Sequence, residues 1–367
     1  MDKIKILIFL FLFSKTLSAQ IASFYFSPHQ DDFFLFMGNN ISKDYKNDSA
    51  KISCIFITNG DAAAKNYSYT VARNEGSKEA IRFTVDQLSS SKRIDINDTL
   101  IVNSHKIERY RFRDFTAYYL NLPCGLVSDK IDVVPLGKFK NGTLDSIQST
   151  NKIATYKSWA DLKNTIDTLI VNQSIGMKKV YVNSLDYDTK IDMYDHPDHN
   201  IIGSLVSDLS SHQLNWLVRY YIGYSIENKL SNIDVEDIAQ KAGMFASYDY
   251  TMRIYDNLGK STWDFAHTAW ISRSYYRTED FTNNIPTAVD SNHISVYSKD
   301  GILYINALSS INGTIQIYDL LGKCLLQAKL TEIGWNTVDL GNLKRNSIYL
   351  YKINGNKKIA GKFIFIN

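Results

Sequence analysis

The stretch Ser27-Pro28-His29-Gln30-Asp31-Asp32-Phe33 places one histidine and two carboxylates within four residues. The apolar run at 21–26 directly before it predicts a buried strand, and the sequence is apolar again from 33 to 37. A cluster of metal-binding residue types therefore stands where a buried strand ends. Because open α/β sheets bind their ligands outside the carboxyl ends of the strands, we expect the functional site here.

A second cluster of the same character lies far downstream, in the stretch Tyr194-Asp195-His196-Pro197-Asp198-His199. The two clusters together hold the residue types of a zinc site made of two histidines and one carboxylate, with a spare carboxylate beside it. A zinc hydrolase needs such ligands, an open position for water, and a base that takes the proton of that water.

The residue types indicate which side chains bind the metal. The first cluster offers His29 and Asp32, three residues apart on a tight turn, and the second cluster offers His199. Asp31 is then left unbound beside the metal, where it can act as the general base.

The remaining polar residues of the second cluster suit supporting roles. His196, as an imidazolium, can stabilise the oxyanion of a tetrahedral intermediate, and Asp198 can orient a histidine. Taken singly, either string is more often a solvated turn. Both strings occur in one chain, however, each between a predicted strand and a predicted helix. The residue types alone then support a metal site and a pair of solvent-exposed turns about equally.

The order of the predicted elements around the clusters is that of a parallel α/β sheet. Strands and helices alternate along the chain, with strands predicted at 21–27, 52–58, 179–182 and 218–224 and helices at 69–85, 158–171, 201–209 and 235–248. We therefore expect a Rossmann-like, mostly parallel sheet with helices on both faces. The less regular segment at 86–150 is predicted to be an insertion that lies over the sheet and forms a pocket wall.

The character of the sequence changes after the aromatic stretch at 263–276. Polar residues without periodicity predict a linker at 286–292, so the catalytic domain is expected to span 20–285. From 293 to 367, short strand-like runs alternate with Gly and Asn turns, which predicts a small all-β sandwich. This last domain has no clustered His, Asp or Glu, so we do not expect the chemistry there.

Composition narrows the class of protein. The chain has 367 residues, 44% of them apolar, and a formal net charge of only +3 with scattered basic residues, which argues against a nucleic-acid partner. Two lysines, an apolar run at 6–13 and a small residue at Ala19 predict a signal peptide at 1–19. The apolar run is too short for a permanent span, so we expect export without a stable membrane span.

The three cysteines are too few and too widely spaced for a disulfide scaffold. Cys54 and Cys324 lie in strand-like runs, and Cys124 follows a proline in a turn. We expect them to be buried thiols rather than metal ligands or nucleophiles.

At this point the sequence resembles a known family, the PIG-L/LmbE-like zinc N-deacetylases. The stretch 29–32 looks like the family's His-Pro-Asp-Asp motif, and His-Pro-Asp-His at 196–199 looks like its second motif. Between them, 56–61 is similar to the family's strand followed by Thr-x-Gly-Asp, and Arg73 and Ala80 are similar to its helical Arg and Ala. Leu-Pro-Cys-Gly at 122–125 resembles a Leu-Pro-Asp-Gly segment of one branch. The resemblance covers about 21–275.

The resemblance implies a set of residue roles. His29, Asp32 and His199 would bind Zn²⁺, and Asp31 would be the general base that activates the zinc-bound water and then passes its proton to the leaving amine. His196 would stabilise the oxyanion. Tyr194 stands where some members have a tyrosine that polarises the carbonyl, although a packing tyrosine is an equal alternative. The reaction implied is hydrolysis of an N-acetyl group from an amino sugar, often N-acetylglucosamine in a conjugate.

Two positions depart from the family pattern. Gln30 replaces the proline of the first motif, so the turn loses a residue that would pre-set its backbone. The site could therefore be looser, or the Gln30 amide could contact substrate. Gly76 stands where many members carry a glutamate after the Arg, although one branch has a glycine there.

The C-terminal segment 293–367 resembles the type IX secretion sorting domain of Bacteroidetes. The resemblance rests on 315–323, 335–340, 348–353 and 362–363, while the usual early Pro-Asn-Pro is missing. It implies the type IX secretion machinery as a partner and a secreted or cell-surface location. An accessory β domain that binds carbohydrate is the alternative.

The sequence thus predicts an exported zinc-dependent hydrolase that removes an N-acetyl group from an N-acetylated amino sugar or glycan. Two rivals remain: a non-catalytic glycan-binding surface protein that keeps the zinc site, and a zinc amidase with a non-sugar substrate.

Overall fold

The computed structural model of the chain describes residues 21–48, 50–62, 67–211, 213, 215–255, 261–280, 294–299, 301–307, 313–330, 334–345, 347–354 and 358–365. The predicted signal peptide at 1–19 and the predicted linker at 286–292 lie outside this set. The described residues form two units, one that runs to Asp280 and one made of the C-terminal strands.

The first unit alternates strands and helices. Its strands are β1 (Ile21–Ser27), β2 (Lys51–Thr58), β3 (Asp95–Val102), β4 (His105–Phe112), β5 (Phe115–Leu122), β6 (Ile147–Gln148), β7 (Thr155–Tyr156), β8 (Lys179–Leu185), β9 (Trp216–Tyr221) and β10 (Tyr276–Asp280). Its helices are α1 (Asp32–Phe36), α2 (Gly38–Asp48), α3 (Tyr67–Leu88), α4 (Pro135–Lys140), α5 (Trp159–Gln173), α6 (Pro197–Ser210), α7 (Val235–Tyr255) and α8 (Phe265–Ile271), with a 3₁₀ turn at Tyr224–Asn228.

One eight-stranded sheet organises this unit, in the order β10-β9-β8-β1-β2-β5-β4-β3. Its five central strands, from β9 to β5, pair in parallel. β1 and β2 are buried along almost their whole length, as expected when helices cover both faces of a parallel sheet. The predicted Rossmann-like α/β fold is confirmed.

The topology explains where the two clusters meet. From β1 the chain moves to β2 and β5 on one side, whereas β8 and β9 are added on the other side of β1. The neighbours β1 and β8 therefore form the switch point of the sheet, where a crevice opens outside the carboxyl ends of the strands. The first cluster follows β1 and the second follows β8, so pairing of these two strands brings the clusters together.

The middle segment differs from the prediction. Residues 95–122 do not lie over the sheet but extend it: β3, β4 and β5 form antiparallel hairpins, and β5 also pairs in parallel with β2. The reason is that β5 is apolar and almost wholly buried, so it completes the sheet next to β2.

The helices α3 and α7 pack closely against each other because Gly76 stands at their contact. A Cβ atom at Gly76 would lie 2.7 Å from Cδ2 of Tyr248 and 3.1 Å from its carbonyl oxygen. Any larger side chain at this position would collide with Tyr248.

Among its described residues, the C-terminal unit has seven strands in two antiparallel sheets. They are β11 (Ile294–Lys299), β12 (Ile302–Ala307), β13 (Gly313–Tyr318), β14 (Cys324–Leu330), β15 (Gly334–Asp339), β16 (Ser347–Asn354) and β17 (Lys358–Phe365). The sheets β11-β12-β15 and β14-β13-β16-β17 share one core, to which Leu303, Ile315 and Ile353 contribute buried side chains. The predicted small sandwich is confirmed.

The cysteines follow the prediction only in part. Cys54 and Cys124 are buried, but Cys324 is exposed. Cys324 is the first residue of β14, where the strand has not yet entered the core, so burial was a wrong expectation there. In the portion of the chain that the structure describes, no helix is long and apolar enough to cross a bilayer.

Candidate metal centre and catalytic site

The first cluster is held in a tight turn after β1. Pro28 O accepts hydrogen bonds from the backbone N–H and the hydroxyl of Thr58, at 3.0 and 2.7 Å, which ties the turn to the end of β2. The backbone N–H of His29 donates to Asp32 Oδ2 at 2.7 Å, and that of Phe33 donates to Ser27 Oγ at 3.0 Å. The turn therefore presents consecutive side chains into the crevice in fixed directions.

The second cluster forms the start of α6. His196 is the N-cap residue: its Nδ1 accepts a hydrogen bond from the backbone N–H of Asp198 at 3.1 Å. Pro197 occupies the first helical position, where a missing N–H costs nothing. His199 follows in the first turn and is wholly buried.

Three side-chain atoms from the two clusters form a nearly equilateral triangle. His29 Nδ1 lies 3.1 Å from Asp32 Oδ2 and 3.1 Å from His199 Nε2, and the last two atoms are 3.2 Å apart. Ligand atoms around a tetrahedral Zn²⁺ with bonds of about 2.0–2.1 Å lie about 3.3–3.4 Å apart. The triangle of two imidazole nitrogens and one carboxylate oxygen therefore fits a zinc ion, and an open fourth position is typical of catalytic zinc.

Charge compensation inside the triangle is strong. Burial alone would lower the pKa of His199, but the carboxylates of Asp195 and Asp32 outweigh it and raise the pKa to about 10. Burial would raise the pKa of Asp32, but His199 and His29 hold it well below its usual range. The cluster thus stabilises a positive charge at its centre, as a metal ion would require.

Asp195 fixes the orientation of His199. Its Oδ1 lies 2.7 Å from His199 Nδ1, both side chains are buried, and the pair is spaced i, i+4. The carboxylate accepts the Nδ1 proton, which leaves the Nε2 lone pair directed at the triangle. No role was predicted for Asp195, although its spacing of four residues from His199 at the start of a helix was a usable signal.

A second group with metal-binding residue types lies beside the triangle and consists of His29, Cys124, His196 and Asp198. Several of its atoms already have partners in the protein: Cys124 Sγ donates to Gly125 O at 3.0 Å, and Asp198 Oδ2 accepts from Gly125 N at 3.3 Å. We therefore interpret this group as a supporting layer behind the triangle. Within it, Asp198 Oδ2 lies 3.4 Å from His29 Nε2, a charge contact without hydrogen-bond geometry.

His196 differs from the expected imidazolium. Because its Nδ1 accepts a backbone N–H, its Nε2 carries the ring proton and faces Gly125 O at 3.3 Å. Burial and the neighbouring His29 lower the pKa of His196 to about 3. His196 is therefore a neutral donor.

Asp31 pairs with Arg73 of α3. Arg73 Nη2 lies 2.5 Å from Asp31 Oδ1, and both side chains are largely buried. Among the residues that the structure describes, Asp31 Oδ2 has no hydrogen-bond partner. Asp31 thus has one oxygen fixed and one available to accept a proton.

Tyr194 is not brought into the cluster. Its side chain is 90% exposed, and its backbone φ of 70° lies in the left-handed region that a bulky residue rarely adopts. Its proposed contact with a substrate carbonyl stays a prediction. Arg73, for which the sequence analysis gave no role, is in turn placed beside the predicted base.

The chain is similar to N,N'-diacetylchitobiose deacetylase from Pyrococcus horikoshii, with 12% identity, a TM-score of 0.38 and coverage of 76% of this chain and 92% of that one. It is also similar to the zinc-inhibited form of teicoplanin deacetylase Orf2, with 13% identity, a TM-score of 0.35 and coverage of 65% and 87%. No curated protein matches the sequence.

Two family models match separate parts of the chain. The Secretion system C-terminal sorting domain matches 299–367. The GlcNAc-PI de-N-acetylase model matches 24–210, just over half of the chain and the span that contains both clusters. The chain therefore belongs to the GlcNAc-PI de-N-acetylase (PIG-L) family and carries a secretion sorting domain at its C-terminal end.

Proposed function

We propose that this chain is a zinc-dependent hydrolase that removes the N-acetyl group from an N-acetylated amino sugar or glycan conjugate. The observation that carries the proposal is the triangle of His29 Nδ1, Asp32 Oδ2 and His199 Nε2 with the available oxygen of Asp31 on the adjacent residue. Membership of the PIG-L family supports hydrolysis of an N-acetyl amide rather than another zinc reaction.

His29, Asp32 and His199 would hold the zinc ion. When bound, the ion would act as a Lewis acid that polarises the acetyl carbonyl and acidifies water. Asp195 orients His199 through its hydrogen bond to Nδ1. The charge of Asp198, 3.4 Å from His29 Nε2, would favour the tautomer of His29 whose Nδ1 lone pair is directed at the same point.

Asp31 would be the general base. Its Oδ2 is available to accept the proton of the attacking water, while the bond from Arg73 to Oδ1 keeps the carboxylate from rotating. After the C–N bond breaks, the same carboxyl group would give its proton to the leaving amine. Arg73 does not compete for that proton, because a guanidinium remains charged throughout.

His196 would stabilise the oxyanion as a neutral donor. Its Nε2–H makes only a long bond of 3.3 Å to Gly125 O, which a developing negative charge can replace. The backbone N–H of Asp198 keeps the proton on Nε2, so the donor is set before substrate binds. Tyr194, at the exposed edge of the same loop, would join the carbonyl only after a change of position.

The sorting domain supports export. A sorting domain at 299–367 implies recognition by the type IX secretion machinery, and we propose a signal peptide at 1–19, a catalytic domain at 20–285 and a sorting domain at 293–367. The enzyme would then act outside the cell or on its surface, on acetylated glycans that it meets there.

The first test combines metal content and acetate release. The mature full chain is offered N-acetylglucosamine and its oligomers, with and without a chelator, and zinc is then restored. Acetate release that stops with chelator and returns with zinc supports the proposal. Bound zinc without acetate release favours a glycan binder or an amidase with another substrate, and a folded protein that binds no zinc overturns the proposal.

Asp31→Asn tests the assigned base. We expect zinc content to stay the same and kcat to fall by at least about 100-fold, because the substitution removes a proton acceptor and no ligand. Asp208→Asn is the matched control, since Asp208 pairs with Lys163 in an exposed part of α6. An Asp31→Asn variant with the activity of this control would refute the role.

A further inference from the structure

Gln30 replaces the proline of the family motif, and the structure shows what its amide does. The side chain is fully buried. Its Nε2 donates to Thr58 O at 2.9 Å and to Asn74 Oδ1 at 2.9 Å, and its Oε1 accepts from Arg73 Nε at 3.2 Å. Both amide protons are therefore used within the protein, so the Gln30 amide is not free to donate to a substrate.

These contacts join three elements around the turn. Thr58 ends β2, whereas Asn74 and Arg73 lie side by side on α3. The first cluster is thus bound to a strand end and to a helix through one side chain. A proline would fix its own φ angle but would offer no group to either element.

Arg73 connects Gln30 to the base. Its Nε donates to Gln30 Oε1 and its Nη2 donates to Asp31 Oδ1, so one planar guanidinium links the side chains of two consecutive residues. Gly60 allows this close packing: it has a φ of +58°, and a Cβ there would lie 2.4 Å from Arg73 Nε and 2.7 Å from Gln30 Oε1. The ring centroids of Tyr69 and Tyr248 each lie 5.9 Å from the guanidinium carbon, and the two rings restrict it further.

We propose that Gln30 is a positioning residue that aims Asp31 through Arg73. The inference rests on the proposed function, in which Asp31 is the base. Gln30 and Asp31 accept from the adjacent Nε and Nη2 of the guanidinium, so the bond to Gln30 helps to keep the group in the orientation in which it holds Asp31. The third nitrogen, Nη1, makes a longer bond of 3.4 Å to the hydroxyl of Tyr69. Hydrogen bonds of the Gln30 side chain therefore hold this turn in place, whereas the family motif has a proline ring that restricts the backbone.

A consequence distinguishes this role from simple packing. Restoring the family residue with Gln30→Pro should lower activity rather than raise it, because Arg73 Nε and Thr58 O would both lose their buried partner. Gln30→Met, which keeps the length of the side chain, should lower kcat about 10- to 100-fold with little change in KM or zinc content. Gln240→Met is the matched control, since Gln240 accepts a hydrogen bond from Ser42 within the scaffold.

A double-mutant cycle tests whether the effect passes through Arg73. In an Arg73→Met background, Gln30→Met should cost less than threefold in kcat, because no guanidinium remains to be held. A residue that serves only folding would give the same loss in both backgrounds. Equal losses, or a Gln30→Met variant as active as Gln240→Met, would overturn the proposal.

A measurement without turnover separates this inference from the proposed function. The Nε–H signal of Arg73 in ¹⁵N NMR spectra, assigned by its loss in Arg73→Lys, should exchange slowly with solvent in the wild type and rapidly in Gln30→Met. Asn74→Ala removes one hydrogen-bond acceptor of Gln30 and should also speed the exchange. This second variant keeps the test possible if every substitution at residue 30 prevents folding. Rapid exchange in the wild type would refute the proposed role of Gln30, whereas slow exchange in a protein that releases no acetate would refute only the proposed reaction.

Discussion

Removal of the Asp195 carboxylate is the sharpest test of how the metal centre is built. Asp195 touches the site only through His199, at 2.7 Å from Nδ1, and both side chains are buried. Asp195→Ala therefore leaves the triangle of ligand atoms intact but removes the group that sets the tautomer and orientation of His199. If the Asp195 carboxylate served only folding, its removal would not lower the zinc affinity of the variant that still folds.

The magnitude follows from the type of bond that is lost. A hydrogen bond from imidazole to a buried carboxylate contributes about 1.5–3 kcal/mol. Since each 1.4 kcal/mol is tenfold in an equilibrium constant, zinc affinity should fall about 10- to 100-fold. Asp195→Asn should fall between the wild type and Asp195→Ala, because its amide oxygen still accepts the Nδ1 proton without the negative charge.

Zinc affinity would be measured by competition with a fluorescent chelator, and folding by circular dichroism on the same samples. Asp208→Asn again serves as the control for loss of an acidic side chain elsewhere. At saturating zinc, acetate release by Asp195→Ala should recover most of the wild-type rate, since the base and the oxyanion donor are untouched. A folded Asp195→Ala variant with wild-type zinc affinity would refute the reasoning.

The remaining predictions concern the scaffold. Gly76→Ala should lower the free energy of unfolding by about 1–3 kcal/mol, because the clash with Tyr248 outweighs the better helix propensity of alanine. A variant that is more stable than the wild type in denaturant melts would contradict this packing argument. Burial lowers the pKa of Lys241 to about 7, so between about pH 7 and 10.5 the unfolded chain binds more protons than the folded one at this site. The stability of the wild type relative to Lys241→Met should therefore rise with pH across that window, by at most about 1.4 kcal/mol per unit, and curves that stay parallel in denaturant melts from pH 6.5 to 9.5 would refute it.

Local sequence patterns were sufficient to predict the strands of the parallel part of the sheet. The buried strands β1 and β2 are marked by continuous apolar runs, and both clusters stand next to strand ends in the sequence itself. The same patterns could not predict the position of β5 within the sheet. Its apolar run fits a covering insertion as well as a central strand, and only pairing with β2 decides between them.

The candidate metal ligands of the site could also be predicted from the sequence, but the interactions that tune the site could not. Residue types and spacing place His29, Asp32 and His199 among the candidate ligands, and the structure brings their ligand atoms within 3.2 Å of one another. The charge state of His196 could not be inferred from the sequence, because its pKa depends on burial and on a backbone N–H that exists only once α6 has formed. The link between Gln30 and Asp31 was equally hidden, since it passes through Arg73 on a separate helix.

Four aspartates in the two clusters have the same chemistry in isolation, and their partners differentiate them. Asp32 faces two imidazoles, Asp195 holds the far side of one of them, and Asp198 uses an oxygen to bind a backbone N–H. Asp31 alone of the four pairs with a permanent cation, the guanidinium of Arg73, which holds one of its oxygens. A carboxylate held by Arg73 can accept a proton without leaving its place, and this is the physical reason to assign the base to Asp31 rather than to its neighbour.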